Sequence, residues 1–230
     1  MNNKISTIFF DIDNTLLKHT YAEKKAIYTI KNKYFKKNSL EEFENIWIEM
    51  TKKNWLLYEQ NKLTFEKQRI QRVIDVWEAL EKEISEKSAM KIFEEYLAFY
   101  EDLWKLFPHV YTVLQEIYKR GISIGIITNG NKKQQIKKLQ KTKIYPFIRK
   151  DLLIISEEIG QAKPQKEIFT HSQAMARANP ENILFVGDNF IQDIEPAMKL
   201  NWNTALADYS HSSRSKNAIN DFRRLLDFIK

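Results

Sequence analysis

The chain has no cysteine, which excludes disulfides, thiolate nucleophiles and thiolate metal ligation. Its 230 residues include only five glycines and five prolines, too few for long loops or extended disorder. No apolar run approaches the ~20 residues that a helical bilayer span requires. Met1 to Lys4 lead straight into a strand-like segment instead of a signal peptide. These absences predict a folded, cytoplasmic protein with no membrane partner. The length suits one large domain or a domain with a smaller companion. With 43% hydrophobic and 29% charged residues, the composition is that of an ordinary globular chain able to bury a core.

Acidic residues are outnumbered: the net charge is +7 and the isoelectric point about 9.3. Such an excess invites a nucleic-acid reading. The lysines are scattered along helix-like segments, however, and only Lys132-Lys133 to Lys143 is locally basic. Solvated helix faces and a Lys, Asn and Ile bias explain the excess better than a nucleic-acid surface. A positive field still attracts a small phosphorylated molecule.

What the chain does have is a strand-like run, Ile5 to Phe10, that ends in Asp11-Ile-Asp13-Asn-Thr15. Residues i and i+2 of an extended segment point the same way, so Asp11 and Asp13 face one small volume and need a cation or a shared proton. Alone, this pattern also fits a strand ending in a solvated acidic turn. From Ala22 to Trp104 the periodicity is helical. Stripes run through Ala22, Ala26, Ile27, Ile30 and Tyr34, through Phe43 to Tyr58 after a Ser39-to-Glu42 capping box, through Ile70 to Ile84, and through Phe93 to Trp104. About ninety residues of this kind form a second domain, a small helical bundle.

From Pro108 the rhythm becomes α/β. Strands are expected at Ile122 to Ile127, Leu152 to Ser156, Ile183 to Val186 and Thr204 to Ala207. Helices are expected between them, the one after Val186 carrying Asp193, and a tail helix holds Ile219, Phe222, Leu225, Leu226 and Ile229. Alternating elements predict a doubly wound parallel sheet, a Rossmann-like α/β core, with helices on both faces. Residues 1–17 and 104–230 form the core and 18–103 the helical insertion. Asp11, Thr128 and Asp188 each stand at a strand end, and Lys163 lies a short loop beyond another. A hydroxyl, an ammonium and three or four carboxylates around one point fit a hard divalent cation with oxygen ligands, Mg²⁺ above all. Lys163 and Thr128 supply a phosphate grip, to which the backbone N–H groups of Asn129 and Gly130 can add.

The motifs Asp11-x-Asp13-x-Thr15, Thr128-Asn129-Gly130, Lys163-Pro164 and Gly187-Asp188-x4-Asp193, in that order at four strand ends, resemble the haloacid dehalogenase superfamily of phosphohydrolases. The likeness covers the whole chain, and the insertion resembles that superfamily's first-position helical cap. Ile127 to Gly130 with Ile155 to Pro164 looks most like the members that act as 5′-nucleotidases. The resemblance implies that Asp11 is the nucleophile of an aspartyl-phosphate pathway and Asp13 its general acid and base. It implies Mg²⁺ on Asp11, the carbonyl of Asp13 and Asp188, with Thr128, Asn129 and Lys163 on the phosphate. Asp193 either orders a metal-bound water or Lys163, or caps a helix start. The superfamily's dehalogenases lack a second aspartate, so Asp13 favours phosphate esters.

In the insertion, Arg69 and Arg72 lie three apart on one helix face and either meet substrate oxygens or belong to a solvated face. Trp47, Trp55, Trp77 and Trp104 include a base-stacking residue or are simply core. His19, His109, His171 and His211 fit no motif and read as structural or surface residues. The leading expectation is a Mg²⁺-dependent phosphatase of a small phosphorylated metabolite, a nucleoside monophosphate first. Phosphoglycolate or sugar-phosphate hydrolysis, phosphomutase activity and a catalytically idle binding protein are the alternatives. Neither the leaving group nor the oligomeric state is legible.

Overall fold

A computed structural model describes residues 4–60, 62–210 and 217–229. The chain divides into two compact units, Met1–His19 with Trp104–Lys230, and Thr20–Leu103.

Among the described residues the first unit is built on six strands: β1 (Thr7–Phe10), β2 (Ser123–Thr128), β3 (Leu153–Ile155), β4 (Ile183–Gly187), β5 (Asn203–Ala207) and β6 (Ala218–Ile219). They pair in parallel in the order β3-β2-β1-β4-β5-β6. β1 is buried along its whole length and lies between β2 and β4, which explains its unbroken apolar run. The strand order reverses beside β1, so the carboxyl ends of β2, β1 and β4 border the crevice where such sheets bind ligands.

Among the described residues the second unit comprises four helices, α1 (His19–Tyr34, whose first residue belongs to the sheet unit), α2 (Leu40–Glu59), α3 (Phe65–Ala79) and α4 (Glu86–Asp102). Ser39, Thr64 and Ser85 cap α2, α3 and α4, each side-chain oxygen accepting from a backbone N–H three residues on. Phe35, Phe43, Trp47, Trp77 and Tyr96 pack as a chain of ring contacts in its interior. Trp47 and Trp77 are therefore core, as an aromatic stripe at helical spacing allows. The third helix ends at Ala79, earlier than its apolar stripe suggested, because Glu81 turns into the left-handed region at φ 55°.

In the sheet unit, α5 (Val110–Lys119), α6 (Lys132–Lys141), α7 (Ser156–Ile159), α8 (Lys166–Ala176) and α9 (Glu195–Lys199) connect the strands. Phe9, Ile154, Phe169, Phe185 and Trp202 share one buried cluster, and Phe10 meets Phe222 at a ring separation of 5.9 Å. The tail helix expected at the end of the chain is present only in part. Ala218 and Ile219 form β6, paired with Leu206 and Ala207, where a tail helix was expected. Phe222–Ile229 is a 3₁₀-helix, whose three-residue turn aligns Phe222 with Leu225 on the buried side. Among the described residues no helix is long and apolar enough to cross a membrane.

Candidate active site

Three strand ends, a loop lysine and one helix build a single polar cluster in the sheet unit. Asp11 follows β1, Thr128 closes β2, and Asp188 follows β4. Lys163 lies in the loop before α8. Its Nζ donates to Asp11 Oδ1 at 2.6 Å and to Asp193 Oδ1 at 2.7 Å. All three side chains are buried, where an unpaired charge is costly.

Asn129 shapes the lysine's approach. Its Nδ2 donates to the Lys163 carbonyl at 3.0 Å and its Oδ1 accepts from the Lys163 N–H at 2.8 Å. The Asn129 side chain therefore holds the backbone of Lys163, and it is the Asn129 backbone N–H that was expected on phosphate. The Gly130 N–H, expected to add to the phosphate grip, instead donates to Ser156 Oγ at 3.0 Å; the tight turn at φ 135° directs it to the start of α7.

Asp193 lies in a π-helical turn, Phe190–Ile194, that precedes α9. Its Oδ2 accepts from the Asn189 N–H at 3.1 Å, and Asn189 Oδ1 caps Ile191 and Gln192. Asp193 thus orders Lys163 and ties back to the Asn189 N–H, while the helix-start cap that was its other reading is supplied by Asn189. A Cβ at Gly187 would overlap the Asp193 side chain, which gives the glycine of the Gly187-Asp188 motif its physical reason. The Thr15 hydroxyl donates to Asp188 Oδ1 at 3.4 Å.

Carboxylate oxygens of Asp11, Asp188 and Asp193 lie within 4.8 Å of one another. Burial, opposed by Lys163 and reinforced by the neighbouring aspartates, pushes the Asp11 carboxyl up to about 7. Burial and Asp193 push Asp188 up to about 6, with Lys163 again opposing. For Lys163, burial works against the charge, but Asp11 and Asp193 prevail and raise it. A convergence of oxygen donors that repel one another is the donor chemistry a hard divalent cation fits.

Asp13 is set apart from this cluster. Lys138 Nζ donates to its Oδ1 at 2.8 Å and Oδ2 at 2.6 Å, and His19 Nδ1 lies 3.5 Å from Oδ1. Burial would raise the Asp13 carboxyl, but Lys138, His19 and the hydrogen bonds of Lys138 and Gln135 hold it down at about 2. Gln135 Nε2 donates to Thr128 Oγ1 at 3.1 Å, to the Asn129 carbonyl at 2.8 Å and to Asp13 Oδ2 at 3.4 Å. Sequence reasoning missed Gln135 and Lys138. It took His19 for an ordinary residue, yet its ring abuts Asp13. His211 lies outside the described residues. Their only sequence signal was the basic helix after Thr128-Asn129-Gly130, where Lys138 is 3% exposed while Lys132, Lys133, Lys137 and Lys141 are exposed.

The arginines belong to the helical unit. Arg72 is buried, so it sits on no solvated face; its Nη2 donates to Gln68 Oε1 at 2.9 Å and its Nε is unpartnered. Arg69 lies over the Phe65 ring at 4.0 Å. Trp55 donates to Glu59 Oε1 at 2.8 Å. Trp104 is part of the sheet unit, its ring 5.8 Å from Lys138 Nζ.

Residues 5–200 match the family model described as haloacid dehalogenase-like hydrolase. The chain is 30% identical to the pyrimidine 5′-nucleotidase YjjG of Escherichia coli over 189 residues, 81% of this chain and 79% of that protein. It is 32% identical over 134 residues to a glyceraldehyde 3-phosphate phosphatase of Methanocaldococcus jannaschii, 56% of this chain and 58% of that one. Against several curated relatives, this and a ribulose-1,5-bisphosphate 5-phosphatase among them, the chain thus spans only about half of their length. The crystal structure of the putative hydrolase YfnB from Bacillus subtilis, bound to magnesium, shares the fold with a TM-score of 0.80 at 20% identity, covering 98% of this chain and 99% of that one.

Proposed function

Because the chain belongs to the haloacid dehalogenase-like hydrolases, we propose that it is a Mg²⁺-dependent phosphatase acting on a small phosphomonoester through an aspartyl-phosphate. The observation that carries this reading is Lys163 bridging Asp11 and Asp193 while Asp188 closes on the same point. Asp11 and Asp188, with the carbonyl of Asp13, are the groups that would hold Mg²⁺. The ion would offset charge on the transferring group.

The protein's own residues carry the steps. An Asp11 carboxylate oxygen attacks phosphorus, the ester P–O bond breaks, and Asp13 delivers a proton to the departing alkoxide. Water then attacks the phosphorus of the acyl phosphate, Asp13 takes its proton and passes it to the departing phosphate, and both the Asp11 and Asp13 carboxylates are restored. Lys163 and the Thr128 hydroxyl hold the phosphoryl oxygens, and Asn129 keeps Lys163 in place. Asp13 rests ionised beside Lys138. The proton it delivers arrives with the substrate, since a phosphomonoester has a second pKa of ~6 and its negative charge favours protonation of a nearby carboxylate.

We assign Thr20–Leu103 the role of a cap, with Arg69 and Arg72 as its candidates for substrate oxygens. Arg72 supports this because it is buried with a neutral amide, Gln68, as its hydrogen-bond partner. A nucleoside monophosphate is the leading substrate, in line with the likeness to a pyrimidine 5′-nucleotidase over four fifths of the chain. A sugar phosphate is the second reading, favoured by the triose-phosphate phosphatase match. A phosphate-release panel of nucleoside monophosphates, triose and hexose phosphates and phosphoglycolate, with and without Mg²⁺, tests both. Mg²⁺-dependent turnover of one class selects it, and no release from any ester overturns the phosphatase reading.

A further inference from the structure

Lys138 is a buried lysine on a helix whose other lysines face solvent. Burying an ammonium is costly unless it is paired, and here the partner is Asp13, met through both carboxylate oxygens. Gln135 lies one turn earlier on the same face of α6, also 3% exposed. Two acceptors of its Nε2, the Asn129 carbonyl and the Asp13 carboxylate, cannot donate, which fixes the orientation of the amide. Its Oε1 is buried without a partner. That cost is accepted at a position where Nε2 ties the end of β2 to the end of β1 through Thr128 and Asp13.

The geometry points to Gln135 and Lys138 as positioning residues: together they fix the Asp13 carboxyl relative to the phosphoryl grip at Thr128, so that it meets the leaving oxygen and later the attacking water. The inference rests on the phosphatase reading. It concerns orientation, to which general acid–base transfer is sensitive at the scale of a hydrogen bond. Neither residue touches the reacting phosphorus in this account; both act through Asp13.

The test separates proton delivery from every other step. A first turnover is followed by rapid mixing with Mg²⁺ and either an alkyl phosphate or p-nitrophenyl phosphate, reading release of the alcohol or of nitrophenolate. An alkoxide needs a proton to leave, whereas nitrophenolate does not. Lys138→Met and Gln135→Leu are expected to slow alcohol release roughly 10- to 100-fold while nitrophenolate release stays within about threefold. Lys138→Arg, which keeps a cation on Asp13, is expected to restore most of the alcohol release. Equal losses on both esters, or alcohol release unaffected in both variants, overturn the inference. If Lys138→Met does not fold, Gln135→Leu and Lys138→Arg decide by the same comparison. A wild-type protein that releases neither group refutes the phosphatase reading instead, a result distinct from an uneven or even loss in the variants.

Discussion

Lys163 and Asp11 stand 152 residues apart in the chain, and the Lys163 ammonium is 2.6 Å from the Asp11 carboxylate. The pair places a fixed positive charge beside the carboxylate assigned as nucleophile. It also allows three aspartates to share one buried region.

Removing that ammonium leaves buried carboxylates without their partner, a change that typically costs about 3–5 kcal/mol. Lys163→Met should therefore lower the stability of the metal-free protein by an amount of this order and abolish phosphate release. Urea unfolding in EDTA reads the first effect. Added Mg²⁺ should recover part of the loss, since a cation can replace the missing charge. A variant as stable as the wild type in EDTA would contradict this assignment.

The metal-free protein should respond to pH in a defined direction. Asp11 at about 7 and Asp188 at about 6 lie above the ordinary value of 3.8, so the folded state favours their protonated forms. Their contribution to stability is full below about pH 4 and is lost as the pH rises through 6 and 7. Asp13, held at about 2, acts oppositely: its contribution is present above about pH 4 and lost as the pH falls towards 2. Unfolding midpoints in EDTA should fall between about pH 4.5 and 7.5, and saturating Mg²⁺ should flatten the curve. Apparent Mg²⁺ affinity should rise over the same interval. A flat profile in EDTA would count against buried, mutually repelling carboxylates.

Gly187→Ala places a methyl group against Asp193. Overpacking of this sort costs about 1–3 kcal/mol, and the affected residue orders Lys163. The variant should lose turnover more than its modest destabilisation explains, visible as a fall in kcat in protein that remains folded by circular dichroism.

Arg72→Met separates a structural arginine from a ligand-binding one. Replacing this buried guanidinium, bonded to a neutral amide, with an apolar chain of similar length should cost no more than about 1–3 kcal/mol, the penalty of leaving the Gln68 oxygen without its donor. KM for the preferred substrate of the panel should rise while kcat for p-nitrophenyl phosphate holds. A large loss of stability with unchanged KM would make Arg72 part of the helical unit's scaffold alone.

The fold and much of the site were legible because their signals are local. A parallel strand buried on both faces is an unbroken apolar run, as at Thr7 to Phe10, and its end marks where a side chain enters the crevice. Asp11, Thr128 and Asp188 could be located that way, and Ser39 by its capping pattern. Lys138 and Gln135 could not, because their meaning depends on meeting Asp13 across more than 120 positions, and nothing nearby distinguishes a buried lysine from its solvated neighbours on α6. The Asn129 side chain's hold on Lys163 was also missed, since nothing near Asn129 in the sequence signals a partner 34 positions away. β6 escaped notice because two residues carry too little periodicity to separate a strand from the start of a helix.

The central claim is that Asp11 accepts a phosphoryl group beside a divalent cation. Beryllofluoride mimics a phosphoryl group on a carboxylate, and fluorine NMR reads its capture without knowledge of the natural leaving group. The account predicts a protein-bound fluoroberyllate resonance in the wild type that requires Mg²⁺ and disappears in Asp11→Asn. A resonance that persists in Asp11→Asn, or fails to form in folded wild-type protein with Mg²⁺, would contradict it.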